Sequence, residues 1–266
     1  MGKTRKKPRI YFTVHPQKES GVGRKKEGAR VIVPWNTKQQ HKRKLICRRG
    51  EYLNGSKLVE GEMYFWGEYE GPSEATVTGM ACPKAVHDVL KPVGEMEVPE
   101  GALNTDPYVF GERFRHICCG IGARKFIPGD VVVFGNIEWG FDAMFLVDTV
   151  VVIGGWEDVN STSVTPQYHK AAIEPLVKMG KAKKGYYYGV GYGKGVERFS
   201  FVPCLSELSE EACEHPKLDL EAMGFSANRG YGGTVRNATL TQEIWEWLVG
   251  SVTEQGWKLG VRVEEI

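Results

Sequence analysis

Two stretches decide how this chain folds: Pro128-Gly129-Asp130-Val131-Val132-Val133-Phe134-Gly135-Asn136, and Phe141-Asp142-Ala143-Met144-Phe145-Leu146-Val147-Asp148-Thr149-Val150-Val151-Val152-Ile153. Both are dense in β-branched and aromatic residues, which suit a pleated, packed backbone. The first is opened by Pro128-Gly129-Asp130 and closed by Gly135-Asn136, turn chemistry at both ends. The linker between them, 137–140, is short, so the spacing predicts an antiparallel pair. Their unbroken apolar runs predict burial on both faces.

Working outward, residues 10–15, 29–35, 61–71 and 258–263 also read as strands, and 186–192 with 197–203 as a hairpin. Thr165-Pro166 predicts a helix start, with Thr as N-cap and Pro at the first turn, running to about 179. A short helix is expected over 206–214. A longer one is expected over 241–254, where Ile244, Leu248 and Val252 recur every four residues and Thr239 with Gln242 resembles a capping box. Residues 81–108 are Pro-rich and irregular, a long connection of the kind that often carries function. Strands dominate, helices come late and no βαβ alternation occurs, so the class is α+β with a mostly antiparallel sheet and two or three peripheral helices. Residues 1–9 read as a flexible basic tail and 10–266 as one domain; a division into a barrel-like 10–160 and a helix-and-hairpin 161–266 is an alternative.

Charge is segregated along the chain. The net charge is only +2, yet residues 1–50 hold 16 Lys/Arg against Glu19 and Glu27, while the remainder holds 19 against 31 acids. Such asymmetry points to a basic arm or face for an anionic partner. The basic runs Arg24-Lys25-Lys26, Lys42-Arg43-Lys44 and Arg48-Arg49 sit beside Tyr11, Trp35 and Tyr52, a mixture suited to phosphate contact with stacking. A solvated charged surface is the alternative. The longest apolar stretch, 141–155, contains Asp142 and Asp148 and is too short for a bilayer, and the basic start lacks the apolar run of a secretory signal. A cytoplasmic chain is expected, its six Cys reduced.

Chemistry-bearing residues fall into several groups. Tyr64, Trp66 and Glu68 share one strand face, where rings and a carboxylate can stack a planar base and accept from its amino edge. The alternative is an amphipathic edge strand with its aromatics in the core. Asn104 and Asp106, before Pro107, either shape a turn or present fixed polar groups beside Tyr108 and Phe110; Trp139 is a further candidate lining ring. Asp148 lies mid-strand and must be paired or hydrogen-bonded. Asp106, His116, Cys119 and Asp148 are the candidate groups for catalysis, with Cys119 near His116 offering a thiol and a base. Cysteine is among the most buried residue types, and a buried neutral thiol is the favoured alternative. The Gly-rich 185–195 run satisfies neither phosphate-loop spacing and reads as a twisted hairpin with exposed rings. No zinc pattern occurs, since C-x-x-C and H-E-x-x-H are absent. No cofactor and no metal are expected.

The run PGDVVVFGN followed by FLVDTVVVI resembles the small-barrel modules of the PUA, ASCH and EVE group, in which a Gly-Asp turn opens a barrel strand. The resemblance implies a PUA-like, barrel-like centre and binding of RNA or of modified bases in DNA. FWGEYEGPS, NTDPYVFG, GDVVVFG, FLVDTVVVI and FSFVPC, in this order, resemble an uncharacterised bacterial family similar to nucleotide-modification-associated proteins of phage-conflict loci. That resemblance implies a defence or nucleotide-modification setting and assigns no catalytic residue. The expected function is therefore nucleic-acid binding, with recognition of a modified or flipped base. The alternatives are an enzyme acting on a nucleotide or nucleic acid, and a defence component that docks a protein partner through the acidic remainder.

Overall fold

The computed structural model describes residues 7–14, 22–24, 30–32, 43–68, 106–117, 126–138, 144–178, 184–207, 215–225 and 236–265. The decisive stretch forms β7 (Val131–Glu138) and β8 (Met144–Asp158), paired antiparallel with Val131 opposite Val152 and Val133 opposite Val150. A bulge falls between Phe134 and Gly135. It needs glycine, because a Cβ at 135 would run into the Leu146 carbonyl and the Phe145 ring. Asp130 holds the turn ahead of β7: its carboxylate accepts the Arg9 amide at 2.8 Å and the Ile127 amide at 3.0 Å. The Gly-Asp turn thereby anchors β1 (Arg9–Val14), which runs parallel to β7.

The main sheet has the order β12-β1-β7-β8-β9-β6, with β11 also on β8. Here β6 is Arg115–His116, β9 Gly185–Gly189, β11 Lys217–Asp219 and β12 Arg236–Thr239. A second sheet has the order β10-β13-β4-β5, from Val202–Cys204, Lys258–Val263, Arg43–Asn54 and Lys57–Glu68. A two-stranded ribbon joins β2 (Val22–Arg24) to β3 (Arg30–Ile32). The bridge Val150 to Phe201 links the two larger sheets, while Tyr64 to Leu205 joins β5 to the end of β10 within the second sheet. The strands are antiparallel apart from the β1–β7 pair, and the sheet curls into a half-barrel. The fold is α+β and mostly β. Each of the two larger sheets takes strands from both sides of residue 160.

Both faces of the central strands are covered, as their apolar runs predict. Val132, Phe134, Val151 and Ile153 enter one cluster, with Phe65, Phe110 and Tyr168. Val131, Val133, Val150 and Val152 enter the other, with Trp66, Trp245 and Leu248. Two helices seal these clusters. Helix α1 (166–178) starts at Thr165, whose hydroxyl accepts the Tyr168 amide at 3.2 Å, and contains a π-helical turn, His169–Ile173. Helix α2 (Gln242–Glu254) buries Trp245, Leu248 and Val252.

The structure corrects two local expectations. The cap of α2 is Thr241, which accepts the Ile244 amide at 3.2 Å; Thr239 is instead the last residue of β12, paired with Arg9. The Tyr-Gly stretch is not a hairpin with 197–203, because β9 pairs with β8 on one side and β6 on the other. Its first ring, Tyr186, is buried rather than exposed. Within the expected 206–214 helix, 208–214 lie outside the described residues, and so does most of the 81–108 connection.

Candidate functional site

Residues 106–117 form a tight antiparallel turn-back. Tyr108 and Arg115 exchange backbone hydrogen bonds at 2.8 and 2.7 Å. Gly111 sits at the bend with φ +83° and donates its amide to the Val263 carbonyl. This geometry sets Asp106 opposite His116 and Ile117. The Asp106 Oδ1 accepts the Ile117 amide at 2.9 Å and lies 2.9 Å from His116 Nδ1. Both side chains are essentially inaccessible, at 1% and 0%. With Asp106 accepting, Nδ1 carries the proton in the neutral imidazole, which leaves Nε2 as the lone-pair nitrogen. Nε2 is buried and has no hydrogen-bond partner among the described residues. The ring rests edge-on against Phe134.

Around this pair lies a ring of buried tyrosines. Tyr168 is within 5.1 Å, centroid to centroid, of both Tyr108 and Tyr186, and the Arg115 guanidinium stacks over it at 5.1 Å. Arg115 also donates to the carbonyls of Arg113 and Ser163. Tyr108 gives its hydroxyl to Glu265 at 2.6 Å, and Thr165 donates to the same oxygen. Tyr186 and Ser163 both donate to Glu157, with Arg113 3.5 Å away. Burial pushes the Glu157 carboxyl up, but those two hydrogen bonds and the arginine outweigh it, so its pKa lies below the ordinary value. Burial, then the bond to Glu265, raises Tyr108; burial, then the Asp106 charge, raises Tyr168 well above the usual phenol. The Tyr168 hydroxyl has no partner among the described residues, although it is buried.

A second buried acid–imidazole pair sits in the other cluster. Asp148 Oδ1 lies 3.0 Å from His215 Nδ1, and His215 stacks on Trp66 at 5.0 Å with 28° between planes. Residue 215 comes there because β11, just after it, pairs with β8.

The structure therefore brings some sequence candidates together and separates others. Trp66 and Asp148 meet through His215, while Asp106 meets His116 instead. Trp66 is 2% exposed and its face is occupied by imidazole, so it is a core ring and not an open stacking platform. Tyr64 is half-buried; burial and its hydrogen bond with Cys47 raise its hydroxyl to about 12. Burial likewise raises the Cys204 thiol to about 12, and Cys47 is a free, half-buried thiol. Asn104, Cys119, Trp139, Lys25, Lys26 and Lys42 lie outside the described residues. Glu68 lies in β5, directly opposite Arg43 of β4, with Lys44 opposite Gly67; Arg24 lies in β2. Arg48 donates to the Glu265 carbonyl, and Arg49 reaches Glu60 and Glu264 at 3.4 and 4.0 Å, so these two cations already face protein acceptors.

His215, Arg115, Tyr168, Glu157 and Glu265 are polar residues that sequence spacing did not single out. Only Arg115, next to His116, had a local signal. Among the described residues no group of three or more His, Cys, Asp or Glu is placed to hold a metal ion, and no helix is long and apolar enough to cross a membrane. No family model, curated protein or solved structure matches the chain.

Proposed function

We propose that this protein binds nucleic acid, with the basic first fifty residues meeting phosphate. The observation that carries the reading is the charge segregation: 16 Lys/Arg against two acids in residues 1–50, and an acidic remainder. The β2–β3 ribbon and the start of β4 present part of this segment as strand, a form that can lie along a nucleic-acid backbone. The curled half-barrel supports the likeness to PUA-type modules, and with it recognition of a modified or flipped base in a bacterial defence or nucleotide-modification setting. Because Arg48 and Arg49 are engaged by protein acceptors, the phosphate contacts are assigned to Arg24, Lys25, Lys26, Lys42, Arg43 and Lys44.

Replacing those six by Ser is expected to weaken binding and flatten its salt dependence. Each lost contact should remove about 0.9 from the log–log slope on duplex DNA and about 0.7 on single strands. Titrations at several salt concentrations measure this. An unchanged slope would show that this segment does not meet phosphate.

A second reading, an enzyme acting on a nucleotide or nucleic acid, is favoured by His116 Nε2. An imidazole oriented by a carboxylate, with its far nitrogen unpartnered among the described residues, has the form of a general base. Because His116 is fully buried, it reaches a solute only in a conformation that uncovers it. Turnover of nucleotides or oligonucleotides that is present in wild type and absent in a folded His116→Gln variant is the expected result. Absence of turnover in wild type sinks this reading.

A further inference from the structure

We propose that the cavity beside the 191–195 turn binds a single nucleotide whose base carries an exocyclic amino group, an assignment that rests on the nucleic-acid reading above. The cavity has a volume of about 440 Å³, within the range of small-ligand sites. Among the described residues only four large apolar side chains are exposed, and two of them, Leu58 at 44% and Tyr192 at 41%, line it. Exposed apolar surface gathered in one concavity marks a binding site more often than scattered exposure does.

The Tyr192 ring is held from behind. Phe199 packs against it edge-on at 5.0 Å, and Phe199 in turn contacts Phe201 and Trp245. A ring supported in this way loses little freedom when a base stacks on it. Val261, buried beneath, completes an apolar floor.

The charges around this floor suit a nucleotide. Glu51 and Arg262 neutralise each other at 2.7 Å. Lys194 and Glu112 line the same cavity, and neither side chain has a partner among the described residues. An ammonium and a carboxylate, neither partnered among the described residues, thus line the same cavity as an exposed ring. The ammonium meets a phosphate, and the carboxylate accepts from the amino edge of cytosine, adenine or guanine. Thymine and uracil offer no such donor. The Gly-rich spacing of 189–195 excludes a phosphate loop of known pattern, and none is needed here, since Lys194 supplies the contact by its side chain.

The test compares a short dC oligomer, a dT oligomer and an oligomer of abasic sites on wild type, Tyr192→Ala, Lys194→Ser and Glu112→Ala, with dCMP titrated in parallel. All three residues are exposed, so the variants should melt with wild type. Wild type should prefer dC to dT. Tyr192→Ala should lose about ten-fold on dC, the scale of one stacked base, and nothing on the abasic oligomer. Lys194→Ser should weaken dC and dT alike, and Glu112→Ala should erase the preference between them. Equal wild-type affinity for dC and dT overturns the amino-edge assignment. Variants that match wild type on dC while wild type binds it salt-dependently overturn the cavity and leave the nucleic-acid reading standing. If wild type binds no oligomer but binds dCMP, and Tyr192→Ala loses it, the cavity stands and the nucleic-acid reading falls. Binding of neither overturns both.

Discussion

Val133→Asp should leave no cooperatively folded protein. Val133 is fully buried at the middle of β7, opposite Phe12 of β1 on one side and Val150 of β8 on the other. Its side chain enters the cluster sealed by α2, among Val131, Val150 and Leu248. A carboxylate there would enter an apolar cluster, and the cost of an unpaired buried charge is several kcal/mol. Domains of this kind are stable by about 5–15 kcal/mol in all, so one such substitution consumes much of the margin. The contrast is Asp148, one strand away, which the fold tolerates because His215 sits 3.0 Å from it. Circular dichroism melting decides the matter, with Val133→Ala as the milder control. Cooperative melting of Val133→Asp near the parent temperature would show that β7 is not core.

Trp66→Ala should cost about 3–5 kcal/mol of folding stability, the usual range for deleting a buried indole. Two losses combine in it. The indole leaves a cavity in the cluster that holds Leu53 and Leu259, and His215 loses the ring on which it stacks. The Asp148–His215 pair then borders that void, so part of the cost should appear as weakened positioning of the imidazole. Urea unfolding of wild type, Trp66→Ala and Trp66→Phe measures the effect, and Trp66→Phe should recover much of it. If Trp66→Ala unfolds like wild type but loses ten-fold or more in oligonucleotide affinity, Trp66 is a stacking ring after all.

Several features were legible in the amino-acid order because local forces suffice for them. A run such as Val131-Val132-Val133-Phe134 between turn residues buries on both faces in any compact arrangement. Thr165 before Pro166 caps a helix through its own neighbours. The four-residue recurrence of Ile244, Leu248 and Val252 marks one face of a helix wherever that helix docks. The cap of α2 was misplaced: the spacing pointed to Thr239, but Thr239 pairs with Arg9 in the sheet and Thr241 caps the helix.

The site was legible only in part. An acid amid the apolar run of β8 announced that Asp148 needs a partner, because desolvation of a charge is costly anywhere in a core. Nothing local could say that the partner is His215, since β11 brings it there by pairing with β8. Likewise Asp106 and His116 stood out as residue types, but only the turn-back at Gly111 sets them 2.9 Å apart. Trp66 shows the limit most clearly. Alternation on β5 correctly placed Tyr64 and Trp66 on one face, yet alternation cannot tell whether that face meets solvent or a second cluster. The sequence by itself determined the central strands β7 and β8, strands β1 and β13, the two helices, the charge segregation and the need for a buried partner at Asp148. Tertiary structure alone decided which faces are covered and which distant side chains meet, because those depend on strand pairing between segments far apart in the chain.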